Sequence, residues 1–205
     1  MEVRDRIIEG AGKLFLTEGI RRVTMDYIAK KLAISKRTIY EMFQDKTELV
    51  KATLEYLTRK HDEEFNAIQK DAGNVIEVIV GVLQVGVTSI KQVSPLFLDD
   101  LELHYPVLCE ETIVRRRRES MLNFELLITR GIDEGMFRAD LNVRLVAKIF
   151  IEQMNAMNNR NVFPPDEYPA VELFETLFLN FIRGISTLEG IRKLDELLLN
   201  RNELK

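Results

Sequence analysis

The chain has a single cysteine, Cys109, so no disulfide can form within it and a redox sensor built on paired thiols is excluded. Its two histidines, His61 and His104, stand far apart and cannot supply the usual ligand set of a zinc centre. No metal or other cofactor is expected. A phosphate-cradling glycine loop and a nucleophile motif are also missing, so the chain does not read as an enzyme and no catalytic residue is assigned. No charged start leads into an apolar run with a small-residue cleavage site, which together with the lone thiol suits a cytoplasmic protein. The longest apolar stretch, Val75 to Ile90, contains Glu77 and Gln84 and stops short of the ~18–20 residues needed to span a bilayer. No membrane partner is expected.

What the chain does have is enough apolar material for a sizeable core: 46% of its 205 residues are hydrophobic. A net charge of -4 and a pI near 5.4 exclude a generally basic nucleic-acid coat, so any contact with DNA must come from a local patch. One exists between residues 21 and 46, where Arg21, Arg22, Lys30, Lys31, Lys36, Arg37 and Lys46 outnumber Asp26, Glu41 and Asp45. The remainder of the chain is correspondingly more acidic.

The same stretch has the pattern of two short helices joined by a tight turn. Thr24 can cap the first, Asp26 suits the positive end of its dipole, and Ile28, Ala29 and Leu32 form one apolar stripe. Ser35 offers a second cap, behind which Ile39 and Phe43, four apart, pack inward. That leaves Lys36, Arg37, Thr38 and Tyr40 to meet a groove and its phosphates, the geometry of a helix-turn-helix reading head on duplex DNA. Met42 is a further candidate base contact, whereas Lys30 and Lys31 read as a solvated face.

Around this head the periodicity predicts an all-α chain. Ile7, Ile8, Ala11, Leu14 and Phe15 share one face of an opening helix that Gly19 can end. Asp45 and Glu48 have capping-box spacing, so a connecting helix starts at Lys46 and runs toward the charged segment RKHDEE. Gly73 and Asn74 punctuate the next boundary, and Val75 to Ile90 is a buried helix. Ser94 and Pro95 start another, which Pro106 closes; a long helix runs from about Val107 to Gly135. Asn142 or Asp140 caps one through roughly Asn158, and two more lie near Tyr168 to Gly184 and Thr187 to Asn200. The expected division is a helix-turn-helix domain over residues 1–46 and a helical bundle over 47–205.

The run S-K-R-T-I-Y-E-M-F at 35–43, preceded by the T-x-x-x-I-A of Thr24 to Ala29 and followed by Lys46 and Glu48, resembles the TetR (tetracycline repressor) family of bacterial transcription regulators. The motif covers residues 3–50, and the architecture matches along the chain. The resemblance implies that Lys36, Arg37 and Thr38 enter the major groove while Thr24, Ser35, Tyr40 and Lys46 hold phosphates. For Thr24 and Ser35 capping alone is the competing role, and for Tyr40 packing alone. The chemistry agrees, since Arg or Lys can bond guanine acceptors and a Thr methyl can touch thymine. The departure is Ala33, where the family commonly places Gly, so a strained or differently shaped turn is expected. The resemblance also implies a C-terminal bundle for binding a small-molecule effector and for dimerisation.

On the long helix, Arg117 shares a face with Ile113, Val114, Met121, Phe124 and Ile128, and Glu110 lies two turns before it. A cation in an apolar stripe needs a partner, either Asp99, Asp100 or Glu102 as a structural bridge, or an effector. The candidate effector residues are thus Arg117 and Glu110, with His104 and Tyr105. Leu173, Phe174, Leu177, Phe178, Phe181 and Ile182 cover much of a late helix, so a two-fold homodimer through it and the helix before is expected. The whole reads as a ligand-responsive regulator, in the repressor sense, of a pseudo-palindromic DNA operator. The rival is an architectural or protein-binding helix-turn-helix without an effector.

Overall fold

The computed structural model describes residues 2–157 and 159–202. Among them are ten helices: α1 (Val3–Glu18), α2 (Met25–Leu32), α3 (Lys36–Met42), α4 (Lys46–Asp71), α5 (Val75–Gln92), α6 (Pro95–His104), α7 (Pro106–Asp133), α8 (Val143–Ala156), α9 (Ala170–Ile185) and α10 (Leu188–Asn202). The described residues contain no strand, only an isolated bridge between Phe137 and Ser186. The all-α expectation holds, and most boundaries fall within about two residues of those predicted. The expected end of α8 at Asn158 lies outside the described residues.

Two boundaries differ. Pro106 does not close α6; it opens α7, where its missing N–H is no loss, and Tyr105 alone connects the two helices with its amide donating to the Leu101 carbonyl at 3.0 Å. The apolar stretch from Val75 is longer than read, because α5 continues through Lys91 to Gln92. By length and composition alone this helix could cross a membrane, but Val75, Ile76, Val78, Ile79, Val80, Leu83 and Val87 are buried in a protein core.

The chain forms two compact units, each discontinuous in sequence: residues 1–64 with 91–116, and residues 65–90 with 117–205. The functional division expected at residue 46 cuts through the first. In that unit Ile7, Ala11 and Phe15 of α1, Ile28 of α2, Ile39 and Phe43 of α3, Leu49 and Leu54 of α4, and Phe97 and Leu101 of α6 share one core. α1 and α4 approach closely because position 12 is glycine; a Cβ there would stand 3.2 Å from the Thr53 methyl. Asp45 caps α4 by accepting the Glu48 amide at 2.9 Å, while the Glu48 carboxylate accepts the Gln44 amide at 2.7 Å. This is the anticipated box, shifted by one residue on its return bond.

The second unit is organised by aromatic rings. Phe124 of α7 stacks on Phe150 of α8 at 4.1 Å between centroids, and Phe150 meets Phe178 and Phe181 of α9 at 5.7 and 5.0 Å. Phe174 extends the cluster to Phe178 at 5.5 Å. Beside it the turn after α7 is tied to the α9–α10 junction, where the Arg138 amide donates to the Ile185 carbonyl at 3.0 Å and the Thr187 amide to Met136 at 2.9 Å.

Candidate nucleic-acid interface

The reading head is assembled from two capped helices and one turn. The Thr24 hydroxyl accepts the Tyr27 amide at 3.1 Å, and the Ser35 hydroxyl accepts the Thr38 amide at 3.0 Å, so each serves as an N-cap. Between them Ala33 takes the left-handed conformation, φ 51 and ψ 46, and is the one non-glycine among the described residues with positive φ. The Ile34 amide closes the turn on the Ala29 carbonyl at 3.0 Å. The missing glycine therefore leaves the shape of the turn intact and puts strain into it instead.

With Ile39 and Phe43 buried at 0% and 1% exposure, α3 is fixed in rotation about its axis. Lys36, Arg37 and Tyr40 consequently face out, and Thr38 is half-buried with its hydroxyl 2.8 Å from that of Ser35. Tyr40 retains 46% exposure and does not pack as a core residue. Met42 is also exposed, as are Arg21 and Arg22 in the turn before α2. Lys36 Nζ lies 5.8 Å from the centre of the Tyr40 ring, so the two form one cationic and aromatic ridge.

Two ion pairs occupy this face. Lys36 Nζ is 2.7 Å from Asp26 Oδ1, and this pair raises the lysine above its ordinary range. Arg37 Nε donates to Glu41 Oε1 at 2.8 Å. The second pair is legible in the sequence as an i,i+4 spacing; the first joins two helices and is not.

Lys46 stands apart from the ridge. Its half-buried ammonium donates to the Ile20 carbonyl at 2.6 Å, and partial burial lowers its pKa, opposed by the charge of Asp100. The residue expected at a phosphate thus already fastens the start of α4 to the turn after α1. From the other side Asp100 of α6 accepts the Arg21 amide, and the Ser94 amide donates to the Leu16 carbonyl at 2.7 Å. Neither tie has a motif that reveals it.

The residues considered for an effector fall on both sides of the division between the units. His104 and Glu110 are exposed and Tyr105 is half-buried, all in the first unit, whereas Arg117 belongs to the second. Glu110 borders a concavity of about 270 Å³ with Glu102, Pro106, Cys109 and Val114. Arg117 pairs with Glu152 of α8 at 3.9 Å, a partner that differs from the Asp99, Asp100 or Glu102 expected from the sequence. The apolar stripe proposed around it also fails at Val114, which is 61% exposed; burial on α7 resumes only at Phe124, Leu127 and Ile128. The side chain of Ile113 lies outside the described residues. Glu152 also meets Lys148 at 2.7 Å, and this hydrogen bond, with Arg117 adding to it, holds its carboxyl below the usual range. No cluster able to hold a metal occurs among the described residues.

Comparison with known proteins bears on this face directly. A family model described as "Bacterial regulatory proteins, tetR family" matches residues 7–53, which span α1 to the start of α4. An HTH-type transcriptional regulator of Staphylococcus aureus is 35% identical over 79 residues, 38% of this chain and 43% of that protein. The chain thus spans less than half of that relative. Pseudomonas putida has a "Probable HTH-type transcriptional regulator ArpR", 24% identical over 183 residues, 80% of this chain and 82% of its own length. Among solved structures, a transcriptional regulator from Cytophaga hutchinsonii superposes with a TM-score of 0.74 at 18% identity, covering 89% of this chain and 98% of that one.

Proposed function

As this chain belongs to the TetR family of transcriptional regulators, we propose that it binds a pseudo-palindromic DNA operator as a homodimer and leaves it when a small molecule binds. The observation that carries the DNA reading is the α3 ridge: Lys36, Arg37 and Tyr40 are exposed on a helix anchored by buried Ile39 and Phe43. In this reading Lys36, Arg37 and Thr38 contact bases in the major groove, and Thr24, Ser35, Tyr40 and Lys46 contact phosphates. Residues 1–46 are the reading module and 47–205 the regulatory one. Such a protein works in the cytoplasm, where the DNA is.

Dimerisation is assigned to α8 and α9. Phe178 and Ile182 are buried in their own unit, whereas Leu173 and Leu177 of α9 remain half-exposed, and Leu145 and Ile149 of α8 are 55% and 49% exposed. This leftover apolar face suits a symmetry mate, which would set two reading heads about one DNA turn apart or somewhat more. For the effector, the polar set of Arg117, Lys148 and Glu152 is the preferred anchor. α4 is the lever, since it starts at Lys46 beside the reading head and its last residues belong to the second unit.

The test is selection of the full-length protein on randomised duplexes, followed by titration of the winning sequence across salt. A symmetric sequence bound with an affinity that falls by orders of magnitude between dilute and physiological salt is expected. Absence of any enriched sequence, or indifference to salt, refutes it. The rival reading, an architectural module without an effector, draws support from the exposure of His104 and Glu110. Retained DNA release by a small-molecule library in wild type, lost in Arg117→Ala, decides against it.

A further inference from the structure

Both cations at the start of α3 are held by carboxylates of the reading head itself, and the two clips differ in kind. Asp26 lies in the first turn of α2, where its charge favours the helix dipole whatever else it touches. Glu41 has no such reason to be where it is. It stands in the last turn of α3, at the unfavourable end of the dipole, and follows its arginine in the weaker of the two i,i+4 orders. Its side chain is 52% exposed and that of Arg37 is 88% exposed, so a pair in water adds little to folding. What the contact does fix is direction. The Glu41 carboxylate accepts a hydrogen bond from the Nε–H of Arg37, which leaves the two terminal nitrogens to donate elsewhere.

We infer that Glu41 is a specificity-determining residue that positions Arg37 to read one guanine in each half-site. This rests on the assignment of α3 as the base-reading helix. The two terminal nitrogens form the fork that matches the O6 and N7 acceptors of guanine, and holding Nε removes the freedom of the side chain to swing onto a phosphate. At a site lacking the guanine, the carboxylate faces DNA with its arginine offering no base bond, and repulsion from nearby phosphates is uncompensated. The discrimination comes from weakening the wrong complexes as much as from strengthening the right one. Lys36 and Asp26 provide an internal comparison: an ammonium is a point charge with rotatable donors and no fork, so releasing it does not alter the preference set by Arg37.

The experiment uses full-length protein and a duplex pool with a randomised core of about two helical turns. Wild type enriches a fixed G·C pair in each half-site, and Arg37→Ala loses the preference at that pair. Glu41→Gln loses preference at the same pair by about tenfold while binding a scrambled duplex several-fold more tightly. Glu41→Asp, which keeps the charge but shortens the reach, weakens the guanine preference without strengthening scrambled-duplex binding. Asp26→Asn leaves the preference at the pair read by Arg37 intact. Retention of the full guanine ratio in Glu41→Gln, or its loss at a different pair from that lost in Arg37→Ala, overturns the inference while leaving DNA recognition standing. A wild-type protein that enriches no sequence overturns both.

Discussion

Asp100 Oδ2 accepts the backbone amide of Arg21 at 2.7 Å, which ties the middle of α6 to the turn between α1 and the reading head. A carboxylate bond to a backbone donor contributes more than a neutral one, and its loss leaves the amide to water. Asp100→Ala is expected to destabilise the protein by about 1 kcal/mol, with Asp100→Asn intermediate, as measured by urea denaturation.

Gly19, beside that bond, has φ 85 and ψ 154, a conformation that other residues avoid. A Cβ there would also stand 2.9 Å from Asp100 Oδ2 and 3.1 Å from Leu96 Cβ. Gly19→Ala therefore loses on both backbone and packing, by about 2–3 kcal/mol. A thermal midpoint unchanged from wild type would contradict this account.

At Ala33 the sign reverses. Its left-handed backbone carries a penalty that glycine does not have, so Ala33→Gly is expected to stabilise the protein by up to about 1 kcal/mol with the turn unchanged. Equilibrium unfolding of the variant against wild type provides the check.

Phe150 stacks on Phe124 and touches two rings of α9. Phe150→Ala opens a cavity at the junction of three helices and should cost about 3–5 kcal/mol, whereas Phe150→Leu loses less. Loss of near-ultraviolet signal below physiological temperature is the expected readout for the alanine variant.

Burial pushes the Cys109 thiol up, with the charge of Glu102 acting in the same direction. The thiolate is the reactive form, so near neutral pH the native protein should react slowly with a disulfide reagent, faster as pH rises, and at the rate of a free thiol once unfolded. Equal rates for folded and unfolded protein near neutral pH would show the side chain to be accessible.

How much of this was legible in the sequence depends on the range of the interaction. Thr24, Ser35, Gly19 and the Asp45–Glu48 pair act on residues within four positions, and their caps and turns follow from local chemistry. The rotation of α3 was equally accessible, because Ile39 and Phe43 define its inner face. The partner of Arg117 is not legible in the same way, because a helical wheel assigns a face without saying where along the helix burial begins, and Glu152 comes from a helix 35 positions later in the chain by their numbering. The ties from Lys46 to Ile20 and from Asp100 to Arg21 end on backbone atoms, which every residue type carries, so no side-chain pattern announces them.

A connection of one residue leaves little play. With only Tyr105 between α6 and α7, the two helices behave as the arms of a bell-crank, and tilting the opening turn of α7 must swing α6 about that joint. Because α6 grips the Arg21 amide, such a swing tugs on the turn leading into α2, which makes this elbow a direct mechanical route from α7 to the helix-turn-helix within its unit.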